Sequence, residues 1–94
     1  MIKDFADSDT EKLFSRQKPK RLPENILRQA LRKLLILDAA ENIDDMRVPP
    51  GNRLEKLKGN RKGKYSIRIN DQWRICFEWR DSNAYLVEIT DYHS

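Results

Sequence analysis

From Lys64 onward the sequence keeps a two-residue rhythm, and no other feature restricts its folding as strongly. Tyr65, Ile67 and Ile69 alternate with Lys64, Ser66, Arg68 and Asn70; Trp73, Ile75, Phe77 and Trp79 alternate with Arg74, Cys76, Glu78 and Arg80; Tyr85, Val87 and Ile89 alternate with Leu86, Glu88 and Thr90. Such alternation sends apolar side chains to one face of a strand and polar ones to the other, so it predicts three successive half-buried strands joined by hairpins. Opposed residues of an antiparallel pair share a face, so keeping every apolar alternator on one side requires an odd number of residues in each loop. A loop of Asp81, Ser82 and Asn83 satisfies this, with Asn83 left-handed, Trp79 facing Tyr85, Phe77 facing Val87 and Arg74 facing Thr90. The preceding loop is either Asp71–Trp73 or Asn70–Gln72; both leave Ser66, Arg68, Asn70, Arg74 and Thr90 on the polar face, and Tyr92 continues that parity.

The N-terminal half supplies the cover for the apolar face. The first five residues read as a short strand, and Ser8 with Glu11 three positions later reads as a capping box before a short helix through Leu13 and Phe14. A polar loop from Ser15 to Arg21 follows. Pro23 suits a first helical position, and Leu27, Ala30, Leu31, Leu34 and Leu37 form one stripe of an amphipathic helix ending near Glu41, with Arg28 and Arg32 facing elsewhere. Pro49, Pro50 and Gly51 enforce a turn, and Gly59 and Gly63 bracket a basic loop. The expected fold class is α+β, with two N-terminal helices packed on one face of a small antiparallel sheet. At 94 residues the chain is too short for a second core, so residues 1–94 are expected to form a single domain.

Composition removes several function classes. One cysteine, Cys76, and one histidine, His93, exclude an internal disulfide framework and a zinc site built from Cys and His, and no metal or cofactor is expected. No apolar run approaches the roughly 18 residues of a membrane helix, and no basic-then-apolar leader opens the chain, so a cytoplasmic protein without a membrane partner is expected. Positive charge is clustered: seven basic residues and one acid lie between Arg16 and Lys33, and six basic residues and one acid between Arg53 and Lys64. Two basic surfaces of this kind suit a polyanion, although a solvated helix face and loop would account for the charge alone equally well.

The polar sheet face is either a solvated surface or a platform for a ligand. Lys56, Lys58, Arg61, Lys62 and Lys64 immediately precede the strand that carries Arg68, and cations beside such a platform, with an aromatic ring such as Tyr92, suit RNA. Histidine alone among the side chains has an ordinary pKa, about 6.5, near neutrality, which makes His93 the best general acid or base. Asp91 either orients that imidazole or caps the last strand. Arg74 either grips a phosphate through two oxygens or forms a cross-strand salt bridge, for instance to Glu88. Trp73 and Trp79 fall on the apolar face and read as core.

Gly51-Asn52-Arg53-Leu54-Glu55, Leu57-Lys58-Gly59-Asn60-Arg61, Tyr65-Ser66-Ile67-Arg68, Asn70-Asp71-Gln72-Trp73-Arg74-Ile75 and the terminal Asp91-Tyr92-His93 resemble, as an ordered set, the HigB-type toxins of the RelE/ParE superfamily. The resemblance implies a RelE-like fold and a ribosome-dependent mRNA endonuclease that inhibits translation. It implies His93, Tyr92, Asp91, Arg74 and Lys58 as catalytic residues, and Lys56, Arg61, Lys62, Lys64, Arg68 and Asn70 as contacts to RNA or the ribosome. The partner it implies is a HigA-type helix-turn-helix antitoxin, through which alone the toxin would meet operator DNA. Arg28 and Arg32, with the Arg16–Arg21 loop, offer that antitoxin a basic docking site. Two other readings stay open: a ParE-like gyrase poison, and a noncatalytic module that binds ribosomal RNA.

Overall fold

The computed structural model describes residues 1–58 and 63–91. Two helices, α1 (Ser8–Phe14) and α2 (Glu24–Ala39), precede four strands: β1 (Glu55–Lys56), β2 (Lys64–Arg68), β3 (Trp73–Arg80) and β4 (Asn83–Asp91). The strands form one antiparallel sheet in sequence order, and the helices cover a single face of it, as the periodicity predicts. Ile67, Ile75, Phe77, Val87 and Ile89 from the sheet meet Leu13, Ile26, Ala30, Leu34 and Leu37 from the helices in one buried cluster. Trp73 and Trp79 pack at its margin, half-buried. The first five residues run beside β4 through two isolated parallel bridges, Ile2 with Ala84 and Phe5 with Val87, so they screen its outer edge.

The helix ends differ from expectation for identifiable reasons. The cap of α1 is Asp7, whose carboxylate accepts the Thr10 N–H at 3.2 Å; Ser8 is the first helical residue. Asp serves as well as Ser at this position, and the one-residue shift turns Thr10 inward, where its hydroxyl accepts the Ile89 N–H at 2.9 Å and locks α1 onto β4. α1 closes in a Schellman motif, with Gln17 N donating to Lys12 O, Arg16 N to Leu13 O, and Arg16 itself left-handed. Pro23 stands outside α2 as its cap, with an extended backbone, and the helix stops at Ala39, two residues short of Glu41. Beyond it, Asn42 and Asp45 form a capping box on a 3-10 turn over Ile43–Arg47. A second 3-10 turn, Pro50–Asn52, realises the expected Pro-Pro-Gly reversal.

The hairpins settle the register. β2 and β3 pair with Arg68 opposite Arg74, and Ile69 N donates to Trp73 O at 2.8 Å, which is the pairing of the Asn70–Gln72 loop. Arg74 lies opposite Thr90 as predicted. The β3–β4 loop is shorter than predicted: Arg80 pairs with Asn83, and Asp81 and Ser82 form a two-residue turn with both φ angles positive, the primed geometry that matches strand twist. The odd residue demanded by parity is placed instead in a bulge between Cys76 and Glu78, where Leu86 on the opposing strand has φ 51°. One consequence is that Trp79 faces Ala84, while Tyr85 pairs with Glu78 on the polar face and stacks under the Arg80 guanidinium, 3.9 Å from its ring centroid.

Candidate nucleic-acid interface

The polar face lines up Arg68, Arg74 and Thr90 as one row across three strands, with Ser66 in the adjacent row opposite Cys76. Arg74 is the centre of that row, and it is not a solvated arginine: only 5% of its surface is exposed. Its Nε donates to Ser66 Oγ at 2.9 Å, and its Nη2 to Arg53 O at 2.8 Å and to Ser66 O at 3.3 Å. Those acceptors are a hydroxyl and two carbonyls. They engage the Nε/Nη2 edge of the guanidinium and fix its plane. A guanidinium whose plane is fixed on a strand in this way is preorganised to stabilise an anion without reorienting.

Arg68, directly opposite Arg74, is ion-paired with Asp71 in the β2–β3 turn, which offsets the repulsion between the two facing guanidinium groups. Asn70 builds that turn. Its Oδ1 accepts from Gln72 N at 2.9 Å and from Trp73 N at 2.8 Å, an Asx arrangement that the periodicity alone does not reveal. Asp91 pairs with Trp73 and so has the opposite parity to Arg74; its Oδ2 accepts from Gln72 Nε2 at 2.8 Å. Lys64 is half-buried opposite Glu78, whereas Lys56 and Lys58 are exposed at the β1 edge, a strand too short for the sequence pattern to announce. Arg61, Lys62, Tyr92 and His93 lie outside the described residues. Arg28 and Arg32 are exposed on α2, as the stripe predicts.

A second polar assembly was not foreseen. Lys33 sits within the apolar stripe of α2, 8% exposed, and its Nζ donates to Oδ1 of the fully buried Asn52. Asn52 in turn donates through Nδ2 to Met46 O at 3.1 Å and Val48 O at 3.2 Å. Burial first, and the neighbouring charge of Arg32 second, lower the pKa of Lys33. The sequence signal was a lysine three residues after Ala30 and one before Leu34, where the stripe calls for an apolar residue. On the helix side of the sheet a cleft of about 500 Å³ is lined by Lys12, Lys20, Arg21 and Trp73 among others. Among the described residues no group of three or more Cys, His, Asp and Glu side chains is placed to hold a metal ion, and no helix is long and apolar enough to cross a membrane.

Helices on one face of a small antiparallel sheet are an arrangement shared with solved structures. A YafQ mutant from E. coli superimposes with a TM-score of 0.64 at 11% identity, covering 99% of this chain and 96% of that one. The YoeB-YefM complex from Staphylococcus aureus gives 0.61 at 20% identity, covering 100% and 99%. Residues 3–93 match the HigB-like toxin family, described as the RelE-like toxin of type II toxin-antitoxin system HigB, and the chain belongs to that family. It is 47% identical over 90 residues to Toxin HigB-1 of Vibrio cholerae, covering 92% of this chain and 95% of the relative. It is 30% identical over 93 residues to a Proteus vulgaris protein named Endoribonuclease HigB, covering 99% and 100%.

Proposed function

We propose that this toxin is an endoribonuclease that cleaves messenger RNA on the ribosome, using its own side chains and no metal. The buried, hydrogen-bonded Arg74 carries the reading, because a guanidinium fixed in orientation on the polar side of the sheet is what an in-line attack on a phosphodiester requires for the developing phosphorane. The 2′ oxygen attacks the adjacent phosphorus, the bond to the 5′ oxygen breaks, and a 2′,3′-cyclic phosphate and a 5′-hydroxyl result. His93 moves a proton in that exchange, Arg74 and Lys58 balance the charge on the phosphate, Tyr92 offers a stacking surface for a base, and Asp91, of opposite parity to Arg74, is proposed to orient the His93 imidazole. The naming of a 30% identical, full-length relative as an endoribonuclease supports this chemistry.

Lys56, Arg61, Lys62, Lys64, Arg68 and Asn70 are proposed to hold RNA or ribosomal phosphates, with Arg68 doing so from its Asp71 pair and Asn70 from the turn it builds. The substrate places the toxin in the cytoplasm. Its partner is a HigA-type helix-turn-helix antitoxin, docking on Arg28 and Arg32 and excluding the complex from the ribosome. A ParE-like gyrase poison differs in its cellular signature. Induced expression should yield transcripts cut within coding regions and arrested translation; DNA damage with intact transcripts would replace this reading with the gyrase one.

A further inference from the structure

We propose that Lys33 is a positioning residue for Arg74, acting across the fold through Asn52 and the Arg53 carbonyl; the inference rests on the catalytic reading of Arg74. Lys33 is costly where it stands. A buried ammonium loses its hydration, and that burial lowers its pKa, a cost an apolar side chain would not carry. What the ammonium does there is bond the Asn52 carboxamide.

Asn52, whose Oδ1 accepts from Lys33, donates through Nδ2 to Met46 O and Val48 O, so one fully buried side chain ties the two 3-10 turns together and to α2. Its backbone is held as well, with Asn52 N donating to Pro49 O at 2.9 Å and Arg53 N to Pro50 O at 3.1 Å. The next residue, Arg53, is left-handed, at φ 46° and ψ 58°. A non-glycine residue holds that conformation only where its surroundings impose it. It is this conformation that turns the Arg53 carbonyl to Arg74 Nη2 at 2.8 Å. Removing the Lys33 donor leaves a buried Asn52 oxygen without that partner, which loosens the turn, releases the left-handed residue and withdraws one of the acceptors that set the plane of the guanidinium. Ser66 belongs to the sheet and holds Nε through its hydroxyl at 2.9 Å, with its carbonyl 3.3 Å from Nη2, so the Arg53 carbonyl at 2.8 Å is the shorter of two acceptors on that nitrogen.

A merely structural lysine would slow the protein regardless of Arg74; a positioning lysine acts only while Arg74 is present. Single-turnover cleavage on programmed ribosomes is therefore measured for Lys33→Met, Arg74→Ala and the double variant, with ribosome affinity measured separately. Lys33→Met should lower the rate on the order of 10-fold, an effect of the size that small misplacements of a reacting group produce, without altering affinity. It should have no further effect in the Arg74→Ala background, and Lys33→Gln, which keeps a donor, should recover most of the rate. Equal slowing in both backgrounds, or an unchanged rate in Lys33→Met, overturns the inference. In parallel, the Arg74 Nη2–H resonance should be protected from exchange in the parent, exposed in Lys33→Met and protected again in Lys33→Gln, while Nε–H, held by the Ser66 hydroxyl, stays protected in all three. That arm needs no activity: if Arg74→Ala cleaves normally, the catalytic reading fails while the resonance still reports whether Lys33 holds the guanidinium. If Lys33→Met does not fold, Asn52→Asp, which keeps the acceptor for Lys33 but loses both carbonyl bonds, takes its place and should expose the Nη2–H resonance; continued protection overturns the inference.

Discussion

Replacing Arg74 with lysine keeps the charge and removes the shape, which separates the two properties on which its role depends. In the parent protein Nε reaches Ser66 Oγ at 2.9 Å while Nη2 reaches Arg53 O at 2.8 Å, so two nitrogens serve two acceptors that are placed apart. A lysine carries its donors on one nitrogen and cannot occupy both positions. The Ser66 hydroxyl can rotate to another partner, whereas the Arg53 carbonyl loses a charge-assisted bond of about 1.5 to 3 kcal/mol in a site only 5% exposed. Arg74→Lys should therefore cost about 2 kcal/mol, a large share of the roughly 5 to 15 kcal/mol that stabilises a typical domain. Urea unfolding followed by far-ultraviolet circular dichroism measures this as a lower midpoint at unchanged slope, and single-turnover cleavage should fall in the same variant because the charge is no longer oriented. A lysine variant with the parent's stability and the parent's rate would refute the claim that guanidinium geometry, rather than positive charge, is what this position supplies.

Thr10→Val should destabilise the protein by about 1 to 3 kcal/mol in the same unfolding assay, because it strands the buried Ile89 N–H that now bonds the Thr10 hydroxyl at 2.9 Å. The carboxylate of Asp45 is held below its ordinary pKa by the backbone N–H groups of Asn42 and Glu41, so its contribution is present above the ordinary aspartate range and is lost as the pH falls through the depressed value; the stability gap between parent and Asp45→Asn should be open at neutral pH and close on acidification. Arg28→Glu with Arg32→Glu should weaken antitoxin binding by calorimetry and leave the fold intact, since both side chains are exposed; unchanged affinity would place the docking surface elsewhere.

Much of the architecture was legible because half-burial leaves a period of two in β2, β3 and β4 and a helical stripe in α2. The shared polar face of Ser66, Arg68, Arg74 and Thr90 followed from parity alone. The bulge did not, because Tyr85, Leu86 and Val87 are all apolar enough to serve on either face, and the alternation therefore runs through it unbroken. Strand β1 spans two residues, fewer than any periodicity needs. The supports of Arg74 were hidden for another reason. A carbonyl of Arg53 and a carboxamide of Asn52 act through a left-handed turn and burial, and neither leaves a mark on hydrophobic spacing. Lys33 did leave one, as a charge inside the stripe, but a lysine beside Arg32 reads naturally as part of a solvated basic face.

Cleavage of a defined message by purified protein, mapped by primer extension with and without programmed ribosomes, tests the central claim most directly. The parent should cut the ribosome-bound message and cut naked RNA poorly, while His93→Gln should still bind the ribosome and cleave slowly. Rapid, specific cutting of naked RNA, or an undiminished single-turnover rate in His93→Gln, would contradict it.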